Sequence, residues 1–218
     1  MEENLRKTGI VVIGRNEGDR LKTCLNSVLA KCGRVVYVDS GSTDDSVEYA
    51  ASMGINVGEL DISTPFCAAR ARNFGFQRLI GSYPEVDYVQ FIDGDCELCD
   101  GWLSFAANYL TTDQACAVVA GRRRERFPER TVFNMICDIE WNTPVGKVKS
   151  SGGDFMIRKD AFLEVNGFNP TVVSAEEPEL CYRLRQRDWS EGCRRRQGLG
   201  GEGRDLQRPG DPDGGSRH

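Results

Sequence analysis

The chain has 218 residues, nine of them cysteine, and 28 Lys and Arg against 33 Asp and Glu give it a formal net charge of −5. That length suffices for a real core in one or two domains, and the acidic balance excludes a general nucleic-acid binder. No apolar run approaches the ~20 residues that span a bilayer, and no secretory signal is recognisable ahead of Gly9.

In chain order, residues 9–13 (Gly-Ile-Val-Val-Ile) read as a short buried strand, followed at once by Arg15-Asn16-Glu17-Gly18. Leu21, Leu25, Val28 and Leu29 make a helical stripe over residues 19–31, with Gly33 as its expected stop. A second strand, residues 35–38, runs into Asp39-Ser40-Gly41-Ser42-Thr43-Asp44. A helix over 46–53 stopped by Gly54, a strand over 55–57 and a helix over 68–79 carrying Arg72-Asn73 come next. Residues 86–92 form an apolar strand that ends in Asp93-Gly94-Asp95. This alternation predicts an α/β fold with a mostly parallel central sheet and helices on both faces, its ligands held by the loops after the strands.

Asp93 and Asp95 stand where such sheets bind ligands, and Gly94 is expected to turn the backbone so that the two carboxylates can act together. Oxygen ligands of this kind suit Mg²⁺ or Mn²⁺ gripping a diphosphate. Two solvated turn aspartates are the plain alternative. Further on, Gly152-Gly153-Asp154 precedes the strand-like Phe155-Met156-Ile157, and residues 161–166 read as a packing helix ended by Gly167. Ser174-Ala175-Glu176-Glu177 fits a capping box ahead of Leu180 and Leu184.

Taken in this order, Arg15-Asn16-Glu17, Asp39 to Asp44, Ala71-Arg72-Asn73, Asp93-Gly94-Asp95, Gly152-Gly153-Asp154 and Ser174 to Leu180 resemble the family 2 glycosyltransferases, over about residues 9–188. The resemblance implies the GT-A fold and inverting transfer of a sugar from a nucleotide-diphosphate donor to a hydroxyl acceptor on a cell-surface glycan or lipid-linked saccharide. It places Arg15, Asn16, Glu17, Asp39 and Arg72 at the nucleotide, and Gly153 and Asp154 at the sugar. It implies metal contact by Asp95 with Asp93 in support, and makes Glu177 the general base with Glu176 as competitor. Each role has a bland counterpart. Asp39 would serve equally as a turn aspartate, Glu17 as a first-turn acid, Arg72 as a solvated helix charge, and Glu177 as half of the capping box. A nucleotidyltransferase is disfavoured because Gly14 to Gly18 is poor in Gly and Lys, and a dehydrogenase because no G-x-G-x-x-G follows the first strand.

The cysteines (24, 32, 67, 96, 99, 116, 137, 181 and 193) show no framework spacing, and the Cys96/Cys99 pair lacks a second pair or nearby His for zinc. Reduced, mostly buried thiols in a cytoplasmic protein are expected. Arg122-Arg123-Arg124-Glu125-Arg126, with Lys147 and Lys149, would suit a peripheral contact with anionic headgroups at the inner face of the membrane, or simply a solvated face. Residues 1–189 therefore read as the catalytic domain. Residues 190–218 read as a Gly/Arg-rich tail with little apolar content beyond Leu199 and Leu206, expected to be disordered and to mark a change of reading frame or a truncation. Its departure removes an expected strand and leaves only His218 as a histidine, so a sugar-nucleotide-binding module with little turnover is the second functional expectation.

Overall fold

The computed structural model describes residues 2–142 and 150–196. A short helix α1 (Glu2–Arg6) leads into β1 (Thr8–Gly14), α2 (Asp19–Leu29), β2 (Val35–Asp39), α3 (Ser46–Ser52), β3 (Asn56–Glu59), α4 (Ala68–Ser82) and β4 (Tyr88–Asp93). Then follow α5 (Trp102–Thr112), β5 (Cys116–Arg122), α6 (Val132–Trp141), β6 (Phe155–Arg158), α7 (Lys159–Glu164), α8 (Glu176–Arg185) and β7 (Ser190–Arg196). The seven strands form one sheet in the order β3-β2-β1-β4-β6-β5-β7. Strands β1 to β4 are mutually parallel, β6 runs antiparallel to both β4 and β5, and β7 lies parallel to β5.

The strands are apolar almost throughout because helices cover both faces. Side chains alternate along β1: Val11 and Ile13 join Phe76, Leu79, Phe162 and Leu180 on one side. Ile10 and Val12 join Leu21, Leu25, Val28, Trp102 and Leu110 on the other. Helices α4, α7 and α8 thus pack one face and α2, α3 and α5 the opposite one. Gly167 ends the α7 segment with φ 68° and Gly54 follows α3 with φ 72°, as their positions in the sequence imply. Helix α2 differs from expectation: it stops at Leu29 on right-handed Ala30, so Gly33 is not its cap.

The C-terminal boundary moves. Ser190–Arg196 is not outside the fold; it forms β7, in register with β5 from Cys116↔Ser190 to Arg122↔Arg196. Backbone pairing supplies what the side-chain composition did not suggest, since a strand edge offers hydrogen bonds to any sequence. A strand thus stands at this edge of the sheet, beside β5. The remainder of the tail, with Leu199, Leu206 and His218, lies outside the described residues, as do Lys147 and Lys149.

Candidate active site

The parallel strands end together. Ile13 lies opposite Asp93, and Gly14 lies opposite Asp39. The loops after β1, β2 and β4 consequently meet at one rim, and the Gly94 N–H donates to the Ile13 carbonyl at 2.7 Å. A Cβ on Gly94 would sit 3.1 Å from that carbonyl oxygen and 3.2 Å from Leu21 Cδ1, so glycine is needed here for close approach, not for an unusual φ. Its effect on the carboxylates is the reverse of the one expected. Asp93 turns inward and Asp95 stands exposed in solvent.

Asp93 is the keystone of a buried ion cluster. Its Oδ1 accepts from Arg72 Nη2 at 2.9 Å and its Oδ2 from Arg123 Nη2 at 2.5 Å. Arg72, only 3% exposed, extends its other nitrogen to Glu176 Oε1 at 2.8 Å and Glu177 Oε1 at 3.0 Å. Its guanidinium also lies 5.5 Å from the Phe168 ring centre. Burial favours proton loss from Arg72, but the Asp93, Glu177 and Glu176 charges outweigh it and raise its pKa. Arg72 is not a solvated charge: its Nη atoms are engaged by three carboxylates. Its neighbour Asn73 fastens the adjoining loop, donating to the Phe168 carbonyl at 2.8 Å and accepting from its N–H at 2.9 Å.

The capping box is not formed. The N-cap of α8 is Ala175, in the left-handed region at φ 65°, with no side-chain cap bond. Left-handed backbone at a non-glycine residue is strained and typical of functional sites. The turn aims Glu176 and Glu177 at Arg72. Glu176 is buried, whereas Glu177 keeps 13% of its side chain exposed. Burial pushes the Glu177 carboxyl above its ordinary range; the Glu176 charge adds to the shift and Arg72 opposes it. The two glutamates thus share one guanidinium, with Glu177 the more exposed of the pair.

On the other side of the rim the loops of β1 and β2 are stitched together. Asn16, itself left-handed at φ 54°, donates its N–H to Ser42 Oγ at 2.9 Å and accepts from the Thr43 N–H at 2.7 Å. Gly18 donates to Asp44 Oδ2 at 3.1 Å. Asp39 is 1% exposed and accepts four bonds, from Tyr37 Oη (2.8 Å), Ser42 Oγ (2.5 Å) and the N–H groups of Gly41 (2.9 Å) and Ser42 (2.7 Å). These use its acceptor capacity, so in this state it shapes the loop as a turn aspartate does. Glu17 pairs with Arg20 at 2.7 Å, and burial together with the Asp95 charge raises its pKa against that pairing. Arg15 is exposed and lines a cavity of about 240 Å³ with Ser40, Leu60, Ile62, Phe66 and Arg70. The wall formed by residues 60–66 had no motif to announce it. Arg70 braces it by donating to the carbonyls of Asp61, Thr64 and Pro65.

The two residues expected at the sugar make contacts within the protein. Asp154 is 3% exposed and accepts from Gln90 Nε2 at 2.6 Å, while Gln90 Oε1 accepts from Trp102 Nε1 at 2.7 Å. Gly153 is a spacer: a Cβ there would fall 2.7 Å from Arg123 Nη2, Arg72 Nη2 and Asp93 Oδ2 alike. Nor is the basic run a free rim. Arg122 donates to Asn142, Arg123 to Asp93, and Arg126 to Glu97, while Arg124 faces Asp138 at 3.6 Å. Such internal pairing explains a run of like charges better than headgroup binding does. Arg123 is the site residue that a charge-run reading missed; only its contact with Asp93, 30 positions away, reveals it.

A divalent cation would meet one protein carboxylate here. Among the described residues no group of three or more His, Cys, Asp and Glu is arranged to hold a metal. Asp93 is engaged by the guanidiniums of Arg72 and Arg123. Among the described residues Asp95 makes no ion pair, and its Oδ1 accepts from the Cys96 thiol at 3.3 Å. One exposed carboxylate beside an open rim fits Mg²⁺ or Mn²⁺, which keep waters and share ligands with substrate phosphates.

Residues 9–165 match the family described as Glycosyl transferase family 2. The chain belongs to that family. Among curated proteins it is 28% identical over 191 residues to the succinoglycan biosynthesis protein ExoU of Rhizobium meliloti (strain 1021), covering 80% of this chain and 55% of the relative. Among solved structures it resembles the mannosyltransferase PcManGT from Pyrobaculum calidifontis in complex with GDP-Man and Mn²⁺ (TM-score 0.62, 17% identity, 85% of this chain and 53% of that one). It also resembles glucosyl-3-phosphoglycerate synthase from Mycobacterium tuberculosis in complex with Mn²⁺, UDP-glucose and phosphoglyceric acid (TM-score 0.59, 18% identity, 84% and 66%). At these identities the structures establish the shared GT-A fold. The chain spans about half the length of ExoU and PcManGT. No helix among the described residues is long and apolar enough to cross a membrane.

Proposed function

We propose that the rim between Asp95 and Glu177 transfers a sugar, with inversion, from a nucleoside-diphosphate donor to a hydroxyl acceptor. The observation that carries this is the Arg72 bridge, which ties the strand-end aspartate Asp93 to the α8 glutamates within 3.0 Å contacts. Donor and acceptor groups are thereby held on opposite sides of one charge cluster. The donor's base and ribose would enter the cavity by Arg15, with Phe66 and Ile62 as apolar wall and the Asn16 loop as floor. Direct contact by Asp39 would require the Ser42 or Tyr37 hydroxyl to give way.

Asp95 would hold Mg²⁺ or Mn²⁺, whose chemistry is to neutralise charge on the departing diphosphate. Glu177 takes the acceptor hydroxyl's proton as the oxygen forms its bond to the anomeric carbon. The bond from that carbon to the diphosphate oxygen breaks, and the nucleoside diphosphate leaves with the electron pair. Glu176, the more buried of the pair, anchors Arg72 and so positions its neighbour. ExoU is a polysaccharide biosynthesis protein by description, which favours a saccharide acceptor, lipid-linked or on a cell-surface glycan. The second reading is a donor-binding module without turnover, favoured by the ion pairs in which Arg72 holds both glutamates.

Calorimetric titration with UDP, GDP and dTDP, each with and without Mn²⁺, tests the assignment. One nucleotide should bind, and only with the metal. If none binds to the folded chain, the donor site is misassigned; binding without any transfer selects the second reading.

A further inference from the structure

The wall of residues 60–66 beside the Arg15 cavity has neither helix nor strand, and little packing to hold it. Residues 61–66 are all exposed, Ile62 at 77% and Phe66 at 51%. The backbone of the wall meets the sheet at Leu60, whose N–H donates to the Asp39 carbonyl at 2.9 Å. A segment so placed samples many conformations unless something ties it.

Arg70 is the tie. From the first turn of α4 its Nη1 donates to the carbonyls of Thr64 and Pro65, each at 3.0 Å, and its Nη2 to the Asp61 carbonyl at 2.7 Å. Three of the five N–H donors of one planar guanidinium are thus spent on backbone groups of a single loop. The Asp61 carboxylate takes no part in these bonds. It accepts instead from the Ser63 N–H at 2.9 Å and the Ser63 hydroxyl at 2.7 Å. Arg70 therefore grips the course of the backbone, whatever side chains the loop carries.

The consequence falls on the cavity. Ile62 lies against the loop after β2, where a Cβ on Gly41 would come within 2.7 Å of Ile62 Cγ2. Ile62 and Phe66 thereby stay on the cavity that Ser40 and Arg15 also line. Two residues further along α4, Arg72 is locked to Asp93 and the α8 glutamates. One turn of α4 thus fixes the cavity wall relative to the ion cluster.

We infer that Arg70 is a positioning residue for the nucleotide: it preforms the 60–66 wall against which base and ribose lie, and does not bind the diphosphate. The role rests on the placing of the donor in this cavity. A wall fixed beforehand spares the nucleotide the cost of ordering it, so losing the tie should appear as lost affinity.

Arg70→Met and Arg70→Lys test the inference with two readouts. Chymotrypsin cleavage after Phe66 under native conditions reports the wall without any nucleotide. Arg70→Met should be cut at least about fivefold faster than the parent at an unchanged thermal midpoint, because local opening admits the protease. Calorimetry with Mn²⁺ and UDP, GDP or dTDP, and with the corresponding monophosphates, reports the cavity. For the base that binds, Arg70→Met should lose at least about tenfold in affinity, by the same factor for mono- and diphosphate. Arg70→Lys keeps the charge but replaces the fork with a point donor, so it should fall between in both readouts. Should Arg70→Met lower the thermal midpoint, Arg70→Lys carries both comparisons. Cleavage and affinity both equal to the parent's overturn the inference. So does an affinity loss with parental cleavage, or one confined to the diphosphate, since Arg70 would then bind the phosphates directly. Faster cleavage of the variant when the parent binds none of the three nucleotides overturns the donor-cavity reading, and the positioning role with it, while leaving the tie itself demonstrated.

Discussion

Glu177, the proposed base, is a carboxylate held at some loss of stability. Its pKa is raised in the fold, first by burial and then by the Glu176 charge. A carboxyl with a raised folded-state pKa stabilises the fold while protonated, below its unfolded value near 4.5. That contribution fades as the pH climbs through the folded value, because ionising the group in the fold is then harder than in the unfolded chain. Glu177→Gln keeps an oxygen for Arg72 and cannot ionise. The variant should therefore unfold at a higher urea concentration than the parent at pH 7, and the gap should close at pH 4. A gap that widens towards acid would mean that Arg72 has lowered the Glu177 pKa below its ordinary value. Arg72 itself was misread for a reason visible at this scale. Its partners Asp93 and Glu176 lie 21 and 104 positions away, and no local pattern announces such a pairing.

Among the elements, the turn that carries Gly153 joins β4, α4 and the end of β5. The site of its absent Cβ lies 2.7 Å from three atoms of the Asp93–Arg72–Arg123 cluster. Guanidinium ends usually move aside at little cost, but Arg72 is fixed between Asp93 and the two glutamates. Gly153→Ala should accordingly lower stability by about 1–3 kcal/mol, the usual range for overpacking. A urea midpoint equal to the parent's would show that the cluster is looser than its contacts suggest. The elements themselves were largely legible. Apolar runs such as Val35 to Val38 and Val86 to Ile92 announced parallel strands, and the Leu21–Leu25–Val28 spacing announced α2. What the sequence concealed were elements defined by their partners. Strand β7 is made by pairing with β5, and α6 has its apolar face outward, against the pattern of a core helix. Legibility at the site divides in the same way. Motif order singled out Asp95 and Glu177, but not the pairing of Glu177 with Arg72 or the burial of Asp154 among Gln90 and Trp102.

Across the whole molecule the proposed roles fall on the two halves of the sheet. Parallel strands β1, β2 and β4 carry Asn16, Asp39 and Asp95 on their loops, on the side proposed for the donor. Glu177 arrives from α8, beyond antiparallel β6, and reaches the site through Arg72. Binding and proton transfer should therefore separate by mutation. Asp95→Ala removes the exposed carboxylate that follows β4, so Mn²⁺ should no longer strengthen nucleotide binding in calorimetry, and transfer should fall with it. Glu177→Gln leaves the donor side untouched. Its metal-dependent affinity should stay within about twofold of the parent, while transfer drops by the 10²–10⁴ expected for a lost general base. If both variants lose binding equally, Arg72 transmits the loss from α8 to the strand ends, and the cluster acts as one unit. If Glu177→Gln retains full transfer, the base is Glu176, and Arg72 must release that more deeply buried carboxylate before it can meet an acceptor hydroxyl.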